Sequence, residues 1–431
     1  MLKTTKSIIK INLKNLYMQI QGWVEEIRNL GGIKFLKLHT TSGNYQVTLT
    51  KKDTPKDLFD SVDNITRQSA IRVIGKEKKN NEAPGGIEII PEKIEVLGLS
   101  ETPLPLDPSG KTPAELDTRL DWRILDFRNK NTLSIFKIQN QILKTFRTFL
   151  INEGFMEIQP PSIIASATEG GADLFSIPYF EKEAYLAQSP QLYKQMGAIS
   201  FGKVFCISPV WRAEKFNTPT HLNEIRQMDI EMGFIDSEED VMKVLERVLQ
   251  EIIKSVNKNC MEELKLLGQK LVVPKLPIKR VTYNECIDAL KKRGEKIEWG
   301  EDFSKPQERI LSEIFGDVFF LKDWPTDIKA FYAMPYEDNP KLCHAFDLIF
   351  RGIEISSGTQ RIHKPDLLIK QLKLKGLNPE NFKFYIDCFR YGAPPHAGWS
   401  IGLERLTMTL TGVKNIREAC MFPRDRQRLS P

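Results

Sequence analysis

The residues best equipped for chemistry in this chain are charged, and they fall on β-hairpins. From Val204 to Phe234 the sequence runs VFCISPVWRAEKFNTPTHLNEIRQMDIEMGF. It reads as a strand, a polar loop and a second strand. Arg212 and Glu214 stand at the end of the first strand. Gln227, Asp229 and Glu231 alternate along the second and so share a face. A buried-looking face with that many charges calls for a charged ligand. A second hairpin, HAFDLIFRGIEISSGTQRIH, turns at Arg351-Gly352. That turn pairs Phe350 with Ile353, Ile349 with Glu354 and Asp347 with Ser356. Asp347 and Glu354 then lie diagonally on one face, about 7–8 Å or less apart. Two carboxylates that close repel unless a cation bridges them, and hard oxygen ligands on one face suit Mg²⁺. An arginine can take the cation's place, with Arg361 the obvious candidate. Ser357 falls on the opposite face unless Ser356-Ser357-Gly358 breaks the pleat, which a glycine permits.

Three further stretches carry polar groups in suggestive places. In GAPPHAGWSIGLERLTMTLTG (392–412), Trp399-Ser400-Ile401 reads as a strand end and Gly402 admits close backbone approach. Arg405 follows in the first turn of a helix, a good place to meet a phosphate, although a surface arginine is commoner. ATEGGADLF (167–175) is a Gly-rich loop with one acid, Glu169. QSPQLYKQ (188–195) sets Gln191 and Lys194 one helical turn apart on one face. The bland readings of these two are a surface loop and a solvated lysine. No G-x-x-x-x-G-K-[ST] loop, G-x-S-x-G elbow or H-E-x-x-H occurs, which excludes P-loop nucleotide binding and offers no serine-hydrolase or zincin signature.

These residues need elements to hold them. Residues 17–97 read as five short strands with turn signals between them and one short helix at about 55–65. That pattern fits a small Greek-key barrel of OB type, a fold that often binds oligonucleotides. On it Phe35 could stack a base, and Gln46 or Glu88 could read its edge; Phe35 could equally fill the barrel. Residues 101–125 are a proline-rich linker, and 126–431 form a second, larger domain with helices at 132–154 and 236–260. Ser237 with Asp240 resembles a capping box, and Val241, Val244, Leu245, Val248, Leu249, Ile252 and Val256 make one apolar face. Residues 261–342 look like an insertion without obvious chemistry. The recurring hairpins predict an α+β fold with an antiparallel sheet flanked by helices.

Composition narrows the setting. The chain has 431 residues, 41% of them hydrophobic, and no run approaches a membrane span. We expect no signal peptide. Six dispersed cysteines without a C-x-x-C, and five histidines, argue against a zinc site or a disulfide framework and suit a reducing cytoplasm. The net charge of +6 is uneven: residues 1–100 hold 16 Lys/Arg against 11 Asp/Glu. A basic module on a nearly neutral body suggests a polyanion partner, although plain solubility explains it as well.

The stretches, taken in order, resemble the archaeal-type aspartyl-tRNA synthetases, in subgroup b of the class II aminoacyl-tRNA synthetases. GFMEIQPPSI, with Pro161, is similar to the first class motif, VFCISPVWRAE…HLNEIRQMDIEM to the second, and GLERL with NIREACMFPRDRQRLSP to the third and the family's C-terminus. GWVEEIRNLGGIKFL resembles the anticodon-binding OB domain. The resemblance runs from about Gly22 to Pro431. It implies that L-aspartate attacks the α-phosphate of ATP and that the aspartyl group then passes to the tRNA 3′ end. It also implies a class II catalytic domain, a homodimer built through the first motif, and a cytoplasmic enzyme.

Residue roles follow from the resemblance. Arg212 and Arg405 are the catalytic cations, Arg212 at the α-phosphate and attacking carboxylate, Arg405 at the γ-phosphate end with Gly402, Leu403 and Glu404. Glu214 and Thr220-His221-Leu222 contact ATP. Glu354, Ser357 and Asp347 ligate Mg²⁺. Glu169, Gln191, Asp229, Ser357 and Arg212 hold the amino acid, while Lys194 and Arg361 face its side-chain carboxylate. Two cations for one carboxylate would filter out asparagine. Thr220 stands where the family usually has arginine, and Ile225 where many relatives have an adenine-stacking aromatic. Pro84 matches relatives that charge both tRNA(Asp) and tRNA(Asn), whereas strict enzymes have lysine; Glu25 matches neither group. The rival readings are an asparaginyl-tRNA synthetase, expected to lack the equivalent of Lys194, and a silent RNA-binding paralogue, expected to have lost the charged residues.

Overall fold

The computed structural model describes residues 17–165, 174–215 and 217–431. Two compact units emerge, Met1–Pro113 and Ala114–Pro431, so the division falls inside the stretch expected as a linker. In the first unit, strands β1 (Tyr17–Asn29), β2 (Ile33–Thr40), β3 (Gly43–Thr50), β4 (Ala70–Lys79) and β5 (Ile87–Gly98) close a barrel in the order β1-β2-β3-β5-β4. Helix α1 (Lys56–Ser61) lies between β3 and β4. The strands alternate because one face must leave water: Val24, Leu36, Leu38, Val47, Leu49, Ile71, Val73 and Ile89 fill the interior. Phe35 alternates with Leu36 and points to the outer face, half-buried. The reading that it fills the barrel is therefore not met. Lys34 shares the inner face instead, buried over the Phe59 ring and donating to the Phe59 carbonyl at 2.8 Å.

The second unit begins with α2 (Leu116–Asp121), α3 (Arg123–Asp126) and the long α4 (Lys130–Asn152), followed by β6 (Met156–Glu157). A small sheet pairs β7 (Ile163–Ile164), β9 (Lys182–Leu186) and β8 (Ser176–Tyr179). Helix α5 (Gln191–Phe201) leads into the first charged hairpin, β10 (Lys203–Trp211) and β11 (Glu224–Gly233). Helices α6 (Glu238–Asn259) and α7 (Met261–Leu266) precede β12 (Lys279–Thr282), α8 (Tyr283–Lys292), α9 (Lys305–Phe315) and β13 (Val318–Pro325). The second hairpin, β14 (Leu342–Phe350) and β15 (Ile353–Gln360), is followed by α10 (Pro365–Leu374), α11 (Lys383–Cys388), β16 (His396–Gly402) and α12 (Leu403–Thr411).

Eight strands form one sheet, in the order β12-β13-β14-β15-β16-β11-β10-β6. It is antiparallel through the centre and parallel only at its two edge pairs. Residues 261–342 are thus no mere excursion, because β12 and β13 extend the sheet. The capping box on α6 forms as expected, and its apolar face, Val241 to Val256, is buried with α4 against Phe205, Ile230, Phe346 and Trp399. Each such side chain contributes roughly 1.5–3 kcal/mol relative to exposure. That layer covers one face of the sheet. On the other face, α8 and α9 cover Phe319, Leu321, Ala345 and Ile349. The opposite-facing residues of the central strands are the polar ones.

Candidate active site

The Arg351-Gly352 turn forms as predicted, with φ of 51° and 73° at its two residues, the doubly positive backbone of a tight hairpin. Beyond it the register differs from the expectation. Ile349 pairs with Glu354, but Leu348 pairs with Ser356 and Asp347 with Ser357. Ile355 is the extra residue of a β-bulge, so Asp347 opposes Ser357 and not Ser356. The bulge brings Ser357 to the carboxylates without any break at Gly358.

Register then extends this pair across the sheet. Ser357 pairs with Ser400, Ser400 with Asp229, and Asp229 with Cys206. Asp347, Ser357, Ser400 and Asp229 therefore form one polar row over four strands, spanning roughly 14 Å at the usual strand spacing. Beside the row, Gln227 pairs with Gly402. The cleft over it is lined by Arg212, Glu214, Thr220, His221, Leu222, Ile225, Glu354, Ser357, Gly402, Glu404 and Arg405. Leu403 turns away into the core. Asn223 shapes the loop, donating to the carbonyls of Arg212 (2.6 Å) and Glu214 (2.9 Å). A Cβ on Gly402 would meet nothing closer than the Arg405 side chain at 3.7 Å, so the cleft wall is open there.

At one end of the row sit Asp347 and Glu354. Burial, together with Glu354, pushes Asp347 up to about 6 against the pull of Lys329, whose Nζ lies 2.8 Å from Oδ2. Glu354 goes the other way. The surrounding protein opposes its charge, but Arg405, Lys305, Lys329 and Arg212 outweigh that and hold it below the usual range. Burial, then Arg405, Lys305 and Arg212, lower His221 to about 4 and keep it neutral. Glu404 is buried, its carboxylate accepting from the Arg226 amide at 3.2 and 3.1 Å, and burial raises it to about 7. Glu404 thus braces β11 from α12.

At the other end Lys194 is buried, 2.8 Å from Asp229 Oδ1 and 3.7 Å from Glu231 Oε2. Arg361 donates to both Glu231 oxygens, at 2.9 and 3.2 Å. Gly398 lets this happen, because a Cβ there would lie 2.1 Å from Glu231 Oε2. This corrects one expectation. Lys194 and Arg361 do not wait as two bare cations; two carboxylates of the same sheet already balance them. Glu169 lies outside the described residues.

Sequence reasoning missed Lys305, Glu308 and Lys329, which come from the 261–342 stretch. Lys305 pairs with Glu308 at 2.6 Å, and Glu308 accepts from the Glu354 amide at 3.4 Å. No local pattern marks them, because the site groups they meet, Glu354 and Asp347, are distant in sequence. In the barrel unit, Phe35 pairs with Thr48 and Lys37 with Gln46, and Gln46 pairs in turn with Glu88. Glu25 sits at a bulge in β1 and meets Lys37 at 3.1 Å. Glu88 is buried and accepts from Thr48 at 2.7 Å and Asn80 at 3.1 Å. Pro84 opens the short turn before β5.

Residues 115–426 match the family model of class II tRNA synthetases (D, K and N), and residues 18–97 that of the OB-fold nucleic acid binding domain. The chain is 50% identical to the aspartate–tRNA(Asp/Asn) ligase of Methanopyrus kandleri, over 96% of each chain. The chain belongs to the archaeal type of class II aspartyl-tRNA synthetases. It is an aminoacyl-tRNA ligase. It is also 48% identical to the aspartate–tRNA(Asp) ligase of Pyrococcus abyssi, over 99% of this chain and 98% of that one. Relatives named for one tRNA and for two are thus almost equally similar to this synthetase. Its fold is shared just as widely: the asparaginyl-tRNA synthetase of Pyrococcus horikoshii, solved with asparaginyl-adenylate, superposes with a TM-score of 0.92 at 32% identity, covering 96% of each chain.

Proposed function

We propose that this enzyme activates L-aspartate with ATP and charges both tRNA(Asp) and tRNA(Asn). The observation that carries the reading is the polar row from Asp347 to Asp229, with cations at both ends. Its length suits an extended ligand with a polyphosphate at one end and a charged amino acid at the other. Adenylation brings two anions together and builds charge on the α-phosphate, so fixed positive charge matters more than proton transfer. Arg212 serves the α-phosphate and attacking carboxylate. Arg405, with Gly402, receives the γ-phosphate end, and Glu214 with Thr220-His221-Leu222 holds the nucleotide. Neutral His221 adds no charge there. Lys305, beside Glu354 and His221, supplies a cation to the region where Thr220 replaces the family arginine.

The residues fit Mg²⁺. Among the described residues Asp347 Oδ1 is buried without a hydrogen-bond partner, Glu354 is nearby, and Ser357 opposes Asp347. Among the described residues no three His, Cys, Asp or Glu side chains converge on a metal site. ATP phosphates and water would complete the shell, as Mg²⁺ commonly requires. Bound there, Mg²⁺ would neutralise phosphate charge and orient the polyphosphate.

Aspartate selection belongs to Lys194 and Arg361, which share the substrate carboxylate with Asp229 and Glu231. Each keeps donors beyond those it spends inside the protein. Gln191 and Glu169 take the ammonium side. The asparaginyl alternative loses ground because Lys194 is present and buried at this spot. We assign the enzyme to the cytoplasm and to a homodimer; among the described residues no helix is long and apolar enough to cross a membrane. The test is ATP–pyrophosphate exchange without tRNA. Exchange should depend on aspartate; exchange with asparagine but not aspartate overturns the reading.

A further inference from the structure

Behind Gln191, at the amino-acid end of the row, runs a buried hydrogen-bond chain whose other members none of these roles uses. Gln195, Tyr385 and His396 are fully buried, and Gln191 is 3% exposed. The direction of the chain is set at its far end. His396 Nδ1 lies 2.9 Å from the Pro394 carbonyl. A carbonyl only accepts, so Nδ1 carries the proton, and Nε2 of the neutral ring accepts. Gln195 approaches that Nε2 at 2.9 Å and must present its amide nitrogen. Its oxygen is thereby turned toward two donors, the Tyr385 hydroxyl at 2.7 Å and Gln191 Nε2 at 2.9 Å. Gln191 thus commits its nitrogen inward. Its Oε1 has no partner among the described residues and is the atom it can offer a ligand.

We propose that His396 and Gln195 are positioning residues that hold the Gln191 amide with its oxygen, not its nitrogen, toward the substrate ammonium. The proposal rests on the reading that Gln191 meets the ammonium. A flipped amide would present an N–H donor to a cation and lose the attraction. One backbone carbonyl, relayed through an imidazole and an amide, selects for an α-amino group.

The test compares equilibrium binding of L-aspartate and of succinate, which has both carboxylates and no ammonium, to the full chain by calorimetry. Gln195→Met and His396→Leu should weaken aspartate about tenfold or more, the scale of one hydrogen bond to a charged group, and leave succinate unchanged. His396→Gln, whose side-chain oxygen can still accept from Gln195, should keep aspartate affinity close to the parent. Equal loss of both ligands, or unchanged aspartate binding, in Gln195→Met and His396→Leu overturns the proposal. Gln191→Met separates the two levels. If it weakens both ligands equally, the role of Gln191 itself is wrong. If it weakens aspartate alone while Gln195→Met does not, the positioning claim fails and the contact stands. Should Gln195→Met not fold, the two His396 variants decide.

Discussion

Lys194 carries two jobs at once. It neutralises buried Asp229 at 2.8 Å and meets the Trp399 carbonyl at 3.5 Å, and in the function proposed above its third proton goes to the substrate carboxylate. Lys194→Leu should abolish aspartate-dependent pyrophosphate exchange and leave ATP affinity unchanged in a binding titration. It also strands a buried carboxylate, which costs about 3–5 kcal/mol in denaturant unfolding. Adding Asp229→Asn should restore most of the stability without restoring exchange, which separates the two jobs. Lys305 is a different case. Nothing in its own stretch of sequence marks it, yet it bears on Glu354 and His221. Lys305→Ala should raise the KM for ATP about tenfold, as expected for a charge-assisted contact, with the KM for aspartate unmoved. An unchanged KM for ATP removes it from the nucleotide site.

The elements place these residues by register. Alternation along β11 was legible, because a period of two survives whatever the strand packs against. The bulge at Ile355 was not. Its extra residue costs nothing that a sequence pattern can register, yet it decides whether Ser357 or Ser356 stands opposite Asp347. The join between α6 and the sheet has a pH signature. Glu238 pairs with Lys322 at 3.0 Å and with His344 at 2.8 Å. Burial opposes its charge, but His344 and Lys322 prevail and hold the carboxyl at about 2, below its ordinary 4.5. A depressed carboxylate stabilises the fold fully above its unfolded value and less as pH falls toward its folded one. Glu238→Gln should therefore cost about 2–3 kcal/mol in urea unfolding at neutral pH. The gap to the parent should narrow steadily below pH 4.5. A gap that stays constant down to pH 3 would show that this pair does not join helix to strand.

At the scale of the molecule, the proposed function assigns the choice of tRNA to the barrel unit, which matches an OB-fold nucleic acid binding domain, and the choice of amino acid to the second unit. Phe35, Lys37 and Gln46 share the barrel's outer face, half-buried, next to the buried Thr48 that donates to Glu88. Pro84 opens the turn between β4 and β5, where a lysine would add a charge. Pro84→Lys should lower charging of tRNA(Asn) about tenfold and leave tRNA(Asp) charging and pyrophosphate exchange as they are. Equal loss on both tRNAs would mean the turn does not discriminate. The sequence by itself determined the two folds, the charged hairpins and the family, because strand periodicity, turn residues and motif spacing are local and survive as text. It also named most of the cleft: Arg212, Glu214, Glu354 and Arg405 converge as expected. Three things were left to the tertiary structure. These are the internal partners of Lys194 and Arg361, the cations that 261–342 lends to Glu354 and Asp347, and the amide chain from Pro394 to Gln191. Each depends on side chains that meet across the sheet from distant strands and helices. Charge balance and hydrogen-bond direction are properties of that meeting, and no single stretch of the chain contains them.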